Sequence, residues 1–218
     1  MIVEERLTAY IHSLEMPESE ICEQIRREAL EEDVPIIRME TASFLKVLLM
    51  LKPPKEILEV GTAVGYSAIL MSEYIPEHSH ITTIEKYEPR IPVARANIRR
   101  AGKENVITLI EGDALPVMQQ LCGAYDFIFM DAAKGQYIHF LPEVMRLLKP
   151  GGVLVSDNVL QDGDVVESRY AVTRRNRTIH SRMRDYLYEL KHHPQLQTAV
   201  LSVGDGVAVS IKKDKESL

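Results

Sequence analysis

Residues 57–67 read Ile-Leu-Glu-Val-Gly-Thr-Ala-Val-Gly-Tyr-Ser, and this stretch decides the fold. The apolar run before Gly61 predicts a buried strand over 56–60. The glycines predict a tight turn, and Ser67 opens a helical pattern. A turn of this kind brings backbone N–H groups against a ligand at the carboxyl end of a parallel strand. Its spacing narrows the ligand. A dinucleotide fingerprint needs a glycine two positions after the first, where the backbone approaches a pyrophosphate. Here Ala63 holds that position, Gly65 stands four after Gly61, and Tyr66 replaces the third glycine. The turn suits a nucleoside that lacks a pyrophosphate.

Outward from the turn, apolar runs bounded by turn residues predict further strands at 81–85, 106–111, 127–131 and 153–157. Helical periodicity falls between them, at 67–74, 89–101, 115–121 and 138–148. Lys-Pro-Gly-Gly at 149–152 reads as a helix stop and a turn into the next strand. Such alternation implies a doubly wound α/β fold, a mostly parallel sheet with helices on both faces. Two later β-rich runs, 198–203 and 207–212, flank Gly204-Asp205-Gly206 and predict a terminal antiparallel hairpin. Helical segments at 4–13, 19–33 and 41–51 precede the first strand and must cover the sheet's edge or its ligand-binding rim. One domain accounts for the 218 residues, with 1–51 helical and 52–212 the α/β core.

Composition excludes several classes. Hydrophobic content of 45% with 27% charged residues is that of a soluble globular chain, and no apolar run reaches membrane-span length. The start, Met-Ile-Val-Glu-Glu-Arg, is acidic without an apolar signal core, so a secretory peptide is not expected. Cys22 and Cys122 lie far apart in no ligand pattern and read as reduced thiols of a cytoplasmic protein. A net charge of −6 argues against non-specific coating of nucleic acid. One stretch breaks that acidic average: Arg169, Arg174, Arg175, Arg177, Arg182 and Arg184, with His180 among them. It reads either as a solvated helix face or as an anion-binding border.

In this architecture the residues at strand ends face the ligand. Glu85, twenty positions after Gly65, can accept hydrogen bonds from two ribose hydroxyls. Asp113 can cap the helix that follows it and also face a base amino group. Asp131 ends the fourth strand, and Asp157-Asn158 end the fifth. Carboxylate and amide oxygens without histidine or thiolate suit a hard cation with open positions, Mg²⁺ before zinc.

Taken in order, Leu-Glu-Val-Gly-Thr-x-x-Gly-Tyr-Ser, Glu85, Gly-Asp-Ala, Asp-Ala-x-Lys-x-x-Tyr, Lys-Pro-Gly-Gly and Asp-Asn resemble the cation-dependent O-methyltransferases, which include catechol and caffeoyl-CoA methyltransferases. The resemblance covers nearly the whole chain and implies the S-adenosylmethionine (SAM) variant of the doubly wound fold, a seven-stranded sheet ending in a hairpin. It implies Asp131, Asp157 and Asn158 as ligands of Mg²⁺ and Lys134 as general base, with Asp131 also catalytic. It implies Glu59, Gly61, Tyr66, Ser67, Glu85, Asp113, Ala114 and Asp131 as the SAM pocket, with Met39 and Thr41 in a segment closing over the methionine part. Within that family the chain is similar to the bacterial tRNA 5-hydroxyuridine methyltransferases, which make 5-methoxyuridine at the wobble position.

Two open metal positions favour an acceptor with vicinal oxygens. A catechol has them, and 5-hydroxyuridine has its 5-hydroxyl beside O4. The arginine stretch begins eleven residues after Asn158, and Arg169, Arg174, Arg175 and Arg177 are the candidate contacts to a tRNA anticodon loop. A small-molecule catechol-type enzyme is the competing reading. A nicotinamide oxidoreductase is disfavoured by Ala63 and the hairpin. A non-catalytic SAM-binding scaffold is disfavoured because metal and base positions are all filled. A short apolar stripe of Ile2, Leu7, Ile11 and Leu14 predicts a homodimer through the N-terminal helices.

Overall fold

The computed structural model describes residues 4–168 and 170–214. Three helices, α1 (Glu5–Ser13), α2 (Glu20–Glu31) and α3 (Met39–Leu51), lead into β1 (Glu56–Val60). The chain then alternates through α4 (Tyr66–Ser72), β2 (His80–Glu85), α5 (Ile91–Arg100), β3 (Ile107–Glu111), α6 (Ala114–Gln120), β4 (Tyr125–Met130), α7 (Tyr137–Leu147) and β5 (Leu148–Ser156). Next come α8 (Arg177–His192), β6 (Leu196–Leu201) and β7 (Val207–Lys212). The seven strands form one sheet in the order β3-β2-β1-β4-β5-β7-β6. The first five are parallel, and β7 pairs antiparallel with both β5 and β6, as the doubly wound reading with a terminal hairpin requires.

Side chains of the central strands β1 and β4 and of the second half of β5 alternate between two buried faces, which is why these segments are largely apolar. Ile57, Phe127, Phe129, Val153 and Val155 pack beneath α2, α3, α4 and α5. Leu58, Val60, Ile128, Met130 and Leu154 pack beneath α6, α7 and α8. Ser19 caps α2 by accepting from the Cys22 N–H (3.3 Å), and Pro92 sits in the first turn of α5, where its missing N–H removes no helix bond.

Most boundaries shift by one or two residues from the sequence reading, and the following bear on the site. Asp131 and Asp157 follow their strands by one residue, because pairing ends at Met130 and Ser156. Lys149–Gly152 belongs to β5, so α7 runs straight into that strand; the register of β4 and β5 shifts between Tyr125 and Phe127 to absorb the extra residues. β6 starts at Leu196 and ends at Leu201, which lengthens the hairpin turn to 202–206. The arginine stretch runs into the sixteen-residue α8. Its buried positions His180, Met183, Tyr186 and Leu190 recur every three or four residues, a stripe that the intervening arginines obscure. Leu7, Tyr10, Ile11 and Leu14 of α1 are exposed, and no residue of that helix is buried. Ile2 and Arg169 lie outside the described residues.

Candidate active site

Strand order reverses between β1 and β4, and this switch point opens a crevice at the carboxyl ends of the sheet. Gly61 leaves β1 with φ +103° and donates its N–H to Ile84 O (3.0 Å). A Cβ at Gly61 would lie 2.0 Å from the carbonyl oxygen of Asp131. Only glycine lets the turn rest against the end of β4. Gly65, at φ +85°, caps α4, and its N–H bonds Thr62 O (2.8 Å). From α5, Asn97 donates to Val64 O (2.9 Å) and pins the far side of the turn.

Two acids hold this turn from below. Glu59 is fully buried and accepts from Ser67 Oγ and Thr83 Oγ1, each at 2.5 Å. Burial pushes its carboxyl up to about 7, and the two hydroxyls pull against that rise. Glu85 accepts the N–H groups of Ala63 (2.7 Å), Lys86 (2.9 Å) and Tyr87 (2.8 Å), so it joins the end of β2 to the glycine turn. Asp113 caps α6 through the Leu115 N–H (3.3 Å) and pairs with Lys86 (3.3 Å), while Ala114 is buried behind it. Tyr66 turns elsewhere: its hydroxyl donates to Glu18 (2.7 Å) and ties α4 to the N-terminal segment. Met39 opens α3 and is half-buried. Thr41 is fully buried, its Oγ1 has no partner, and a Cβ at Gly204 would lie 2.9 Å from it. The start of α3 therefore meets the β6–β7 turn at the rim.

Asp131 and Asp157 lie one residue beyond the paired Met130 and Ser156 on adjacent strands. The Asp157 N–H bonds Met130 O (3.0 Å). Asp131 is partly exposed as a residue, but its carboxyl is shielded from solvent. Burial raises that carboxyl to about 6, against the pull of Lys134. Burial also pushes Asp157 well above the usual carboxylate range, and the neighbouring Asp131 adds to the rise. Asp157 Oδ1 accepts the Asn158 N–H (2.8 Å); its Oδ2 is buried without a partner. Asn158 has φ +58° and donates Nδ2 to Asp205 (2.6 Å). Lys134 Nζ stands 3.6 Å from the other oxygen of Asp205.

This arrangement fits a hard divalent cation. Two acids share a desolvated corner, and one oxygen is left with nothing to bond. Among the described residues no three His, Cys, Asp or Glu side chains gather as a metal cluster; the set here is two carboxylates and one amide.

The first turns of α8 pack on the turn that carries Lys134: Arg182 donates to Gly135 O (3.0 Å), and Ile179 lies 3.5 Å from where a Gly135 Cβ would stand. Arg174 and Arg175 are exposed, and the Arg177 guanidinium lies over the Tyr170 ring at 5.8 Å. His180 leaves the basic surface: it is buried, with Nε2 3.1 Å from Glu167 O.

Two residues gain roles that the sequence reading did not give them. The Tyr137 hydroxyl sits between the carbonyls of Met130 (3.1 Å) and Asp157 (3.3 Å) and accepts the Ala132 N–H (3.3 Å), so it laces the two acid-bearing strand ends together. Its place six residues after Asp131 was the available signal. Asp205 read only as turn chemistry, because its partners are distant in sequence.

Comparison with known proteins identifies the family. Residues 11–213 match the family described as O-methyltransferase. Caffeoyl-CoA O-methyltransferase 2 of Populus trichocarpa is 35% identical over 184 residues, covering 78% of this chain and 72% of that protein. Catechol O-methyltransferase of Niastella koreensis is 39% identical over 129 residues, covering 57% of this chain and 58% of that one. The SAH-bound methyltransferase of Podospora anserina superposes with a TM-score of 0.83 at 26% identity, covering 96% and 95% of the two chains. With residues 11–213 matched, this chain belongs to the O-methyltransferase family.

Proposed function

We propose that this chain methylates the 5-hydroxyl of 5-hydroxyuridine at the tRNA wobble position, using SAM and a divalent cation, Mg²⁺ by the hardness of the donors, held by Asp131, Asp157 and Asn158. The observation that carries the chemistry is the buried, unpartnered Oδ2 of Asp157 beside Asp131 at the switch point. When bound, the cation lowers the pKa of an acceptor hydroxyl, and SAM supplies the methyl group.

The chain's own residues do the rest. The glycine turn and Glu85 seat the nucleoside end of SAM, and Thr41 faces the rim with a free oxygen. Asp131, Asp157 and Asn158 favour an acceptor with two neighbouring oxygens. Lys134, three residues from Asp131, takes the hydroxyl proton as a neutral amine, so it must first release its own proton and with it the ion pair to Asp205.

Support for RNA comes from the arginines. Arg177 opens α8, the helix that packs on the Lys134 turn through Arg182, and the exposed Arg174 and Arg175 immediately precede it. An anticodon loop presents phosphates and unpaired bases that arginine grips. Arg169 belongs to the same stretch in sequence. The exposed apolar face of α1 supports a homodimer, and a tRNA substrate places the enzyme in the cytoplasm. Among the described residues no helix is long and apolar enough to cross a membrane.

A catechol-type small-molecule acceptor is the second reading, favoured by the activities named for relatives. Mass spectrometry of nucleosides from bulk tRNA separates the two. A strain lacking this protein should lose 5-methoxyuridine and accumulate 5-hydroxyuridine. Unchanged nucleosides, together with ready methylation of a catechol by the purified enzyme, would favour the small molecule.

A further inference from the structure

We infer that Asp205 is a positioning residue that sets which face of the Asn158 amide is presented to the candidate cation site. This rests on the metal reading above. A carboxylate accepts hydrogen bonds, whereas an amide has one end that donates and one that accepts. Asp205 Oδ1 lies 2.6 Å from the Asn158 side-chain nitrogen, and Asp205 is buried at 5% exposure. The pairing therefore fixes the amide: Nδ2 turns toward the hairpin, and Oδ1 is left as the end free to meet a ligand. An amide free to flip would spend part of its time aiming N–H groups at a cation.

The hairpin turn that carries Asp205 is registered on the Asn158 loop by its backbone. Gly206 O accepts the Val159 N–H (2.9 Å), and Asp205 O accepts the Leu160 N–H (3.1 Å). A Cβ on Gly206 would fall 2.4 Å from Leu160 Cβ, so the two backbones touch with no room between them. The second carboxylate oxygen faces Lys134 (3.6 Å) and Arg38 (3.9 Å). Arg38 in turn grips both oxygens of Asp162 (2.9 and 2.8 Å). The turn, the loop after Asn158 and the entry to α3 thus meet on one buried carboxylate. Losing a partner that orients a ligand in this way typically weakens metal binding by about 10- to 100-fold.

The test is a double-mutant cycle read by Mn²⁺ binding, with free Mn²⁺ followed by electron paramagnetic resonance. Asp205→Ala should weaken Mn²⁺ binding by about 10- to 100-fold. Its apo melting temperature and its SAM affinity by calorimetry serve as controls for a merely structural loss. In an Asn158→Ala background the same change should have an effect of less than about twofold, because the orienting role has no object left. Asp205→Asn, which keeps an acceptor oxygen, should recover most of the affinity. Additive losses in the cycle, or an Asp205→Asn variant as weak as Asp205→Ala, would show that the carboxylate acts by charge alone and overturn the inference. Wild-type affinity in Asp205→Ala would overturn it while leaving the metal reading intact. A wild-type protein that binds no Mn²⁺ would remove both.

Discussion

Gly61→Ala tests the contact between the glycine turn and the acid-bearing end of β4. The added methyl would stand 2.0 Å from the Asp131 carbonyl oxygen and 2.8 Å from its carbon, both backbone atoms that cannot rotate away. Holding a non-glycine residue at φ +103° adds about 1–3 kcal/mol of strain. Forcing the two strand ends apart adds about 1–3 kcal/mol more. Their sum is about 4 kcal/mol. A chain of 218 residues gains about 0.5 kcal/mol per degree of entropy on unfolding, so the melting temperature should fall by about 8 °C. Gly65→Ala is the control: its φ is +85°, but its Cβ would meet nothing closer than 3.6 Å. It carries only the left-handed penalty of about 1–2 kcal/mol, or about 3 °C. Thermal unfolding by circular dichroism measures both, and SAM calorimetry should show the larger loss for Gly61→Ala. Equal melting temperatures for the two variants would refute the close approach on which this site is built.

The pH dependence of stability should report Glu59, whose folded-state value of about 7 exceeds its ordinary 4.5. Its contribution is full below about 4.5 and lost as pH rises through about 7, a change of about 3 kcal/mol that Glu59→Gln should flatten in urea titrations. Asp157→Asn removes a buried carboxyl whose ionisation burial opposes and whose second oxygen has no partner, so the metal-free protein should gain about 1–3 kcal/mol at pH 8 while losing methyl transfer. A destabilised Asp157→Asn variant would count against an unmet charge there. Replacing Arg174, Arg175 and Arg177 with alanine should raise the KM for tRNA and leave SAM affinity unchanged. It should also flatten the log–log salt slope by about 0.7–0.9 for each phosphate left without its arginine, and an unaltered slope would detach these arginines from RNA.

The sheet was legible because its central strands are buried on both faces and punctuated by glycine and proline, a local signal. The strand-end acids were legible for the same reason: position along a strand fixes position at the crevice. What the sequence concealed depends on distant partners. The first half of the α8 stripe is interrupted by Arg177, Arg182 and Arg184, so apolar periodicity alone did not raise it. Tyr66 stood in a motif that faces the ligand, yet its hydroxyl found Glu18, forty-eight residues earlier, which no spacing rule anticipates. Asp205 sits between two glycines, where turn chemistry is a sufficient explanation until Asn158 is seen beside it.

The acids at this edge of the sheet can be sorted by what satisfies them. Glu59 is the most deeply buried, and two hydroxyls occupy its oxygens, so its work is to hold the turn over β1. Glu85 already accepts three backbone N–H groups, yet a carboxylate has about four acceptor sites, which leaves capacity for a ribose hydroxyl without dismantling the turn. Asp205 is spent on Asn158 and two cations. Asp157 alone among these four keeps a buried oxygen that nothing in the chain answers. The fold supplies donors for its structural carboxylates and withholds one here, which is the pattern of a ligand site whose remaining partner comes from outside the chain.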